Sequence, residues 1–101
     1  MTREEQEEHF NVFTHLMYKT MISKSDDYAD VENCVLSNFK LAGNISGGSA
    51  KINCLNLIAT KVARLGVLLK GKTPKNESVS DSLLDLANYA VLLDMIIADE
   101  S

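Results

Sequence analysis

The sequence predicts an all-α fold, a mainly antiparallel four-helix bundle forming a single domain over residues 1–101. Three observations lead there. The composition is helix-forming, with 46% hydrophobic but only 6% aromatic residues, no Trp and one Pro, and Leu, Ala, Met, Lys and Glu abundant. Apolar residues recur at the three- and four-residue spacing of amphipathic helices. Polar clusters holding Gly, Ser or Pro divide the chain into four such stretches, and 101 residues suffice for one core but not two.

The first helix is predicted over about residues 3–23. Thr2 caps it, Glu4, Glu5, Glu7 and Glu8 favour the positive end of its dipole, and Phe10, Phe13, Met17 and Met21 repeat at helical spacing as core residues. His9 and His15 do not share a face at ligand spacing and receive no chemistry. Ser23 to Tyr28 is a polar cluster, read as a loop or helix start with Asp26 and Asp27 as caps. The second helix is predicted over about residues 29–42, with Val31, Cys34, Val35, Asn38 and Leu41 on one face and Gly43 closing it. After a turn, Ser49 caps a third helix over about residues 50–70. Its core face is Cys54, Leu57, Ile58, Leu65 and Leu68, and Lys61 falls in the middle of that face with Arg64 at its margin. The fourth helix is predicted over about residues 79–98, and Ser78-x-x-Asp81 is readable as a capping box.

The stretch from Glu77 to Ala90 reads as the first turns of this last helix. At 100° per residue, Glu77, Asp81, Asp85 and Asn88 fall in one narrow line, and leucines and alanines fill most of the remaining circumference. A carboxylate in a buried face needs a cation, a metal or hydrogen-bond donors. Asp81 alone is explained as a cap; Asp85 lies beyond the first turn and is not. Lys61 and Arg64 are the corresponding cations on the third helix, unless Lys61 merely snorkels past its leucines.

Net charge is −4 and no basic tail appears, which argues against duplex nucleic acid as a partner. No apolar run approaches the roughly 20 residues of a membrane span. Cys34 and Cys54 lack zinc-motif spacing and are read as free thiols, and without a hydrophobic leader the chain is expected to be cytoplasmic. Gly66 to Thr73 satisfies the letters of a phosphate-binding loop, but the intervening residues finish a helix and no strand precedes them. Glu4 to Glu8 is a dipole-favoured, solvated first turn rather than a metal motif.

Four pieces then stand in order: Lys24-x-x-Asp27-Tyr28, Asn38-Phe39, Lys61-x-x-Arg64-Leu65, and a final run from Asn76 through Asp81 and Asp85 to Tyr89-Ala90. Over about residues 10–97 this resembles the bacteriophage and prophage proteins grouped as a nucleotide-modification-associated domain. Those are similar in turn to the all-α nucleoside-triphosphate pyrophosphatases of MazG-like and dimeric dUTPase-like type. The resemblance implies a Mg²⁺ site. Asp85 matches the last residue of a Glu-x-x-Asp pair, but Ser82 stands three residues earlier and Asp81 is the nearest substitute. A buried Glu-x-x-Glu pair is missing, leaving Asp27 to contribute from another segment, with Glu77 beside Asp81 and Asp85. For a nucleotide, Lys24, Lys61 and Arg64 suit phosphates, Asn38 and Asn88 suit a base or ribose, and Tyr28 or Tyr89 can stack. The resemblance also implies a homo-oligomer and the cytoplasm of an infected or lysogenic bacterial host.

Three functions are therefore expected in order. The first is a phage-type protein that sequesters or recognises a nucleotide, with a host-defence signal among the candidates, favoured by the incomplete metal ligation. The second is a Mg²⁺-dependent nucleoside-triphosphate pyrophosphohydrolase. The third is an interaction bundle in which Asp85 and Lys61 form only an ion pair.

Overall fold

The computed structural model describes residues 1–28, 36–71, 73 and 77–100, with the side chains of 25–28, 37, 38, 43, 44 and 46 outside the description. Within these residues the chain is all-helical: α1 is Arg3–Tyr28, α2 Ser37–Ser46, α3 Ala50–Leu68 and α4 Val79–Glu100. No strand occurs among the described residues, and none of the described helices is long and apolar enough to cross a membrane.

Caps fix most helix starts. The Thr2 hydroxyl accepts from the Glu5 N–H at 3.1 Å and donates to the Glu5 carboxylate at 3.2 Å, occupying one of the orphan donors of the first turn. Ser49 does the same for α3, accepting from the Ile52 N–H at 3.2 Å. At α4 the Ser78 hydroxyl accepts from the Asp81 N–H at 3.0 Å, while the Asp81 carboxylate accepts from the Ser78 N–H at 3.4 Å. That reciprocal pair is a capping box.

Two boundaries differ from the sequence expectation. α1 does not stop near Ser23 but runs through the polar cluster to Tyr28, because Lys24 is held by a carboxylate of α4 and tertiary contact outweighs weak local propensity. Gly43 does not close α2. The helix continues through it to Ser46 and ends where Gly47 turns left-handed at φ 78°, a conformation glycine adopts without a Cβ penalty. Residues 29–35, where the second helix was expected to begin and where Val31, Cys34 and Val35 lie, are outside the described residues.

The core sits where α2, α3 and α4 meet. Leu36 and Phe39 pack with Ala50, Cys54 and Ile96, flanked by the half-buried Tyr89, Leu92 and Leu93. Along the α3–α4 seam, Lys51 meets Glu100 at 3.1 Å, the Cys54 thiol donates to the Tyr89 carbonyl at 3.4 Å, and Lys61 meets Asp85 at 3.0 Å. Among the described helices α1 touches the rest mainly through α4. Its aromatic spacing does not mark a buried stripe: Phe10 is 66% exposed, and Phe13, Met17 and Met21 are only half-buried. α1 meets α4 by its C-terminal half, with Met17 and Lys24 supplying the bonds.

Candidate functional site

Lys61 lies on the core face of α3, one turn before the buried Leu65 and two before the buried Leu68. Its side chain is 16% exposed, so its three N–H donors must find partners inside the protein. They do. Nζ donates to both Glu77 carboxylate oxygens, at 2.9 and 3.0 Å, and contacts Asp85 Oδ2 at 3.0 Å. The second Asp85 oxygen accepts from Lys24 Nζ at 3.2 Å. Arg64, one turn after Lys61 by helical spacing, donates through Nη2 to the Glu77 backbone carbonyl at 3.0 Å. Its Nε lies 3.5 Å from Glu77 Oε2, a charge contact too long for a good hydrogen bond, and that buried N–H has no partner among the described residues.

The result is a chain of five charges, Lys24, Asp85, Lys61, Glu77 and Arg64, joining α1, α3, α4 and the residues before α4. Among the described residues three cations face two carboxylates, a formal excess of one positive charge. Burial alone would raise the Asp85 pKa, but hydrogen bonds and charge from Lys61 and Lys24 outweigh it and hold the carboxyl below its ordinary value. For Lys61, burial acts to lower the pKa, and the bonds to Glu77 and Asp85 outweigh it and raise the ammonium above its ordinary value. Both shifts favour the charged forms. The outer cations are more open to solvent, Lys24 at 48% and Arg64 at 33%.

Next to this chain, on the same side of α4 at three-residue intervals, lie Ser82 and Asn88. Both are buried. Asn88 donates through Nδ2 to the Met17 carbonyl at 3.2 Å, while its Oδ1 and the Ser82 hydroxyl have no partner among the described residues. Buried polar atoms left this way cost about 1–3 kcal/mol each, so they are places where a ligand donor or a water would be favoured.

The other sequence candidates are placed as follows. Glu77 precedes α4 rather than belonging to it, and reaches Lys61 from outside the helix. Asp81 is exposed and spent on the capping box, so it does not join Glu77 and Asp85. Tyr89 packs against the core cluster. The side chains of Asp27, Tyr28 and Asn38 are outside the described residues. Among the described residues no group of three or more His, Cys, Asp or Glu is arranged to hold a metal ion. Sequence reasoning missed Ser82, whose only signal was its place three residues before Asp85.

Because the capping box also fixes where Glu77 stands, Ser78→Ala is expected to cost about 1 kcal/mol in urea denaturation, and Ser78→Gly only a few tenths. Equal losses for both would mean that the hydroxyl does not cap α4.

No protein-family model matches this chain, and neither curated proteins nor solved structures give a match.

Proposed function

We propose that this chain binds a nucleotide, with its phosphates against the Lys24, Lys61 and Arg64 end of the charge chain and Asn88 near its base or ribose. The observation that carries the proposal is the positive excess among the described residues: two carboxylates hold three cations in place, and the two outer ones, Lys24 and Arg64, have partly exposed side chains. Prepositioned cations suit phosphate oxygens. Binding is favoured over hydrolysis because Lys61 places its ammonium between Glu77 and Asp85, where a divalent ion would have to sit. The protein would then sequester or recognise a nucleotide, such as a host-defence signal, in the cytoplasm of an infected or lysogenic bacterium. The scaffold in this proposal is a mainly antiparallel four-helix bundle. The order of contacts from Lys51–Glu100 through Cys54–Tyr89 to Lys61–Asp85 supports it.

A second reading has a specific observation behind it. Glu77 and Asp85 converge on one point, and if Lys61 swung aside they would offer oxygens to Mg²⁺, as pyrophosphohydrolysis of a nucleoside triphosphate requires. A thermal-shift screen over nucleoside triphosphates and cyclic nucleotides, with and without Mg²⁺, separates the readings when the ligand is recovered and chromatographed. At about 100 times Kd a bound nucleotide stabilises by about 2.7 kcal/mol. Intact recovery supports binding; conversion to the monophosphate in the Mg²⁺ arm supports hydrolysis. No shift with any nucleotide leaves the charge chain as an ion-pair network in an interaction bundle.

A further inference from the structure

Of the four helices, α1 has the least hold on the fold. None of its described side chains is buried. Among the described residues it also gives nothing to the cluster of Leu36, Phe39, Ala50, Cys54 and Ile96 that joins α2, α3 and α4. Along its C-terminal half, Phe13, Met17, Thr20 and Met21 are half-buried, on the same side of the helix as Lys24.

Two polar bonds fasten that half to α4. Lys24 Nζ lies 3.2 Å from Asp85 Oδ1, and Asn88 Nδ2 donates to the Met17 carbonyl at 3.2 Å. Neither is a strong hold. The lysine is half exposed, so water and salt screen its pair. Asn88 is only 6% exposed, and its Oδ1 has no partner among the described residues while α1 covers it. Hydration of that oxygen on release offsets part of the cost of opening. An element that buries few apolar groups opens at the low end of a protein's range of local stabilities.

We propose that α1 is a strap that opens from α4 by itself, while α2, α3 and α4 remain packed, and that each opening bares Asp85 and Asn88. Closed, Asp85 divides its oxygens between Lys24 and Lys61, and the Asn88 amide is held on Met17. Open, Asp85 keeps Lys61 alone and both polar atoms of Asn88 reach solvent. The strap therefore controls access to the α4 side of the charge chain. It rests on packing and holds with or without a ligand.

The test is hydrogen exchange of the full chain without ligand, followed by NMR at rising urea. Detached, α1 loses the packing from which most helical stability comes, so its backbone amides exchange on opening. The Asn88 side-chain amide reads the baring of α4 directly. Backbone amides from Phe13 to Met21, and the Asn88 side-chain amide, are expected to be at least about tenfold less protected than the amides of Cys54 and Leu65, with a smaller urea dependence because less surface is exposed. Common protection with a common urea slope overturns the independent strap. Ile96→Val supplies a second arm that leaves α1 and its fastenings intact. By weakening the buried cluster it should lower protection at Cys54 and Leu65 about fivefold and leave the α1 amides unchanged. An equal fall in both sets overturns the proposal. An Asn88 amide that follows Cys54 and Leu65 instead of α1 overturns the baring of α4.

Discussion

Lys61→Met is expected to destabilise the ligand-free protein by about 2–3 kcal/mol at pH 7. Removing one partner of a fully buried pair costs about 3–5 kcal/mol. Here the cost is smaller, since Asp85 keeps Lys24 and Glu77 keeps Arg64. It does not vanish, because Glu77 and Asp85 are drawn together by the ammonium they share and would then repel. The pH dependence has a definite sign. The folded Asp85 pKa is depressed, so its contribution is present above the unfolded value near 3.9 and is lost as pH falls through the lower folded value. The folded Lys61 pKa is raised, so its contribution is present below about 10.4 and is lost as pH rises through the higher folded value. Urea denaturation of wild type and variant should therefore give a constant gap from about pH 5 to 10 that narrows as the pH falls through the depressed folded value of Asp85. A gap of the same size at that acid limit would mean that the lost methylene packing, and not the ion pairs, set the difference.

Ile96→Ala is expected to cost about 3 kcal/mol, within the 2–5 kcal/mol range for truncating a buried isoleucine. Ile96 is 2% exposed and packs among Leu36, Phe39, Ala50 and Cys54, where α2, α3 and α4 meet. In a domain of this size that loss lowers Tm by roughly 12–24 °C. Ile97→Ala, at its half-exposed neighbour, should cost less than about 1 kcal/mol. Similar losses at both positions would show that the buried cluster is not the part of the protein that limits unfolding.

Helix type and most helix starts were legible because the signals are local. Ser49, Ser78 and Thr2 each bond a backbone N–H within three residues, so the sequence contains both partners of the interaction. Lys61 was legible for the opposite reason: an ammonium amid apolar spacing is conspicuous, and the structure brings it to Asp85. The helical wheel misled where its premise failed. Glu77 lies outside α4, so its angle on that helix has no meaning, and Asp81 bends back to its own first turn. The end of α1 was not legible because what extends it is Asp85, 61 residues away. Phe10 looked like core because periodicity reports that a residue wants cover, not whether the same chain supplies it.

Cys54 gives the protein an internal clock for its own opening. The thiol is fully shielded, donates to the Tyr89 carbonyl across the α3–α4 seam, and is pushed up in pKa by burial, so an alkylating reagent finds neither access nor thiolate while α3 and α4 stay together. With Cys34 replaced by Ser, every alkylation event would record one separation of those two helices. The labelling rate at rising urea would then give the free energy of that separation without perturbing any residue of the charge chain.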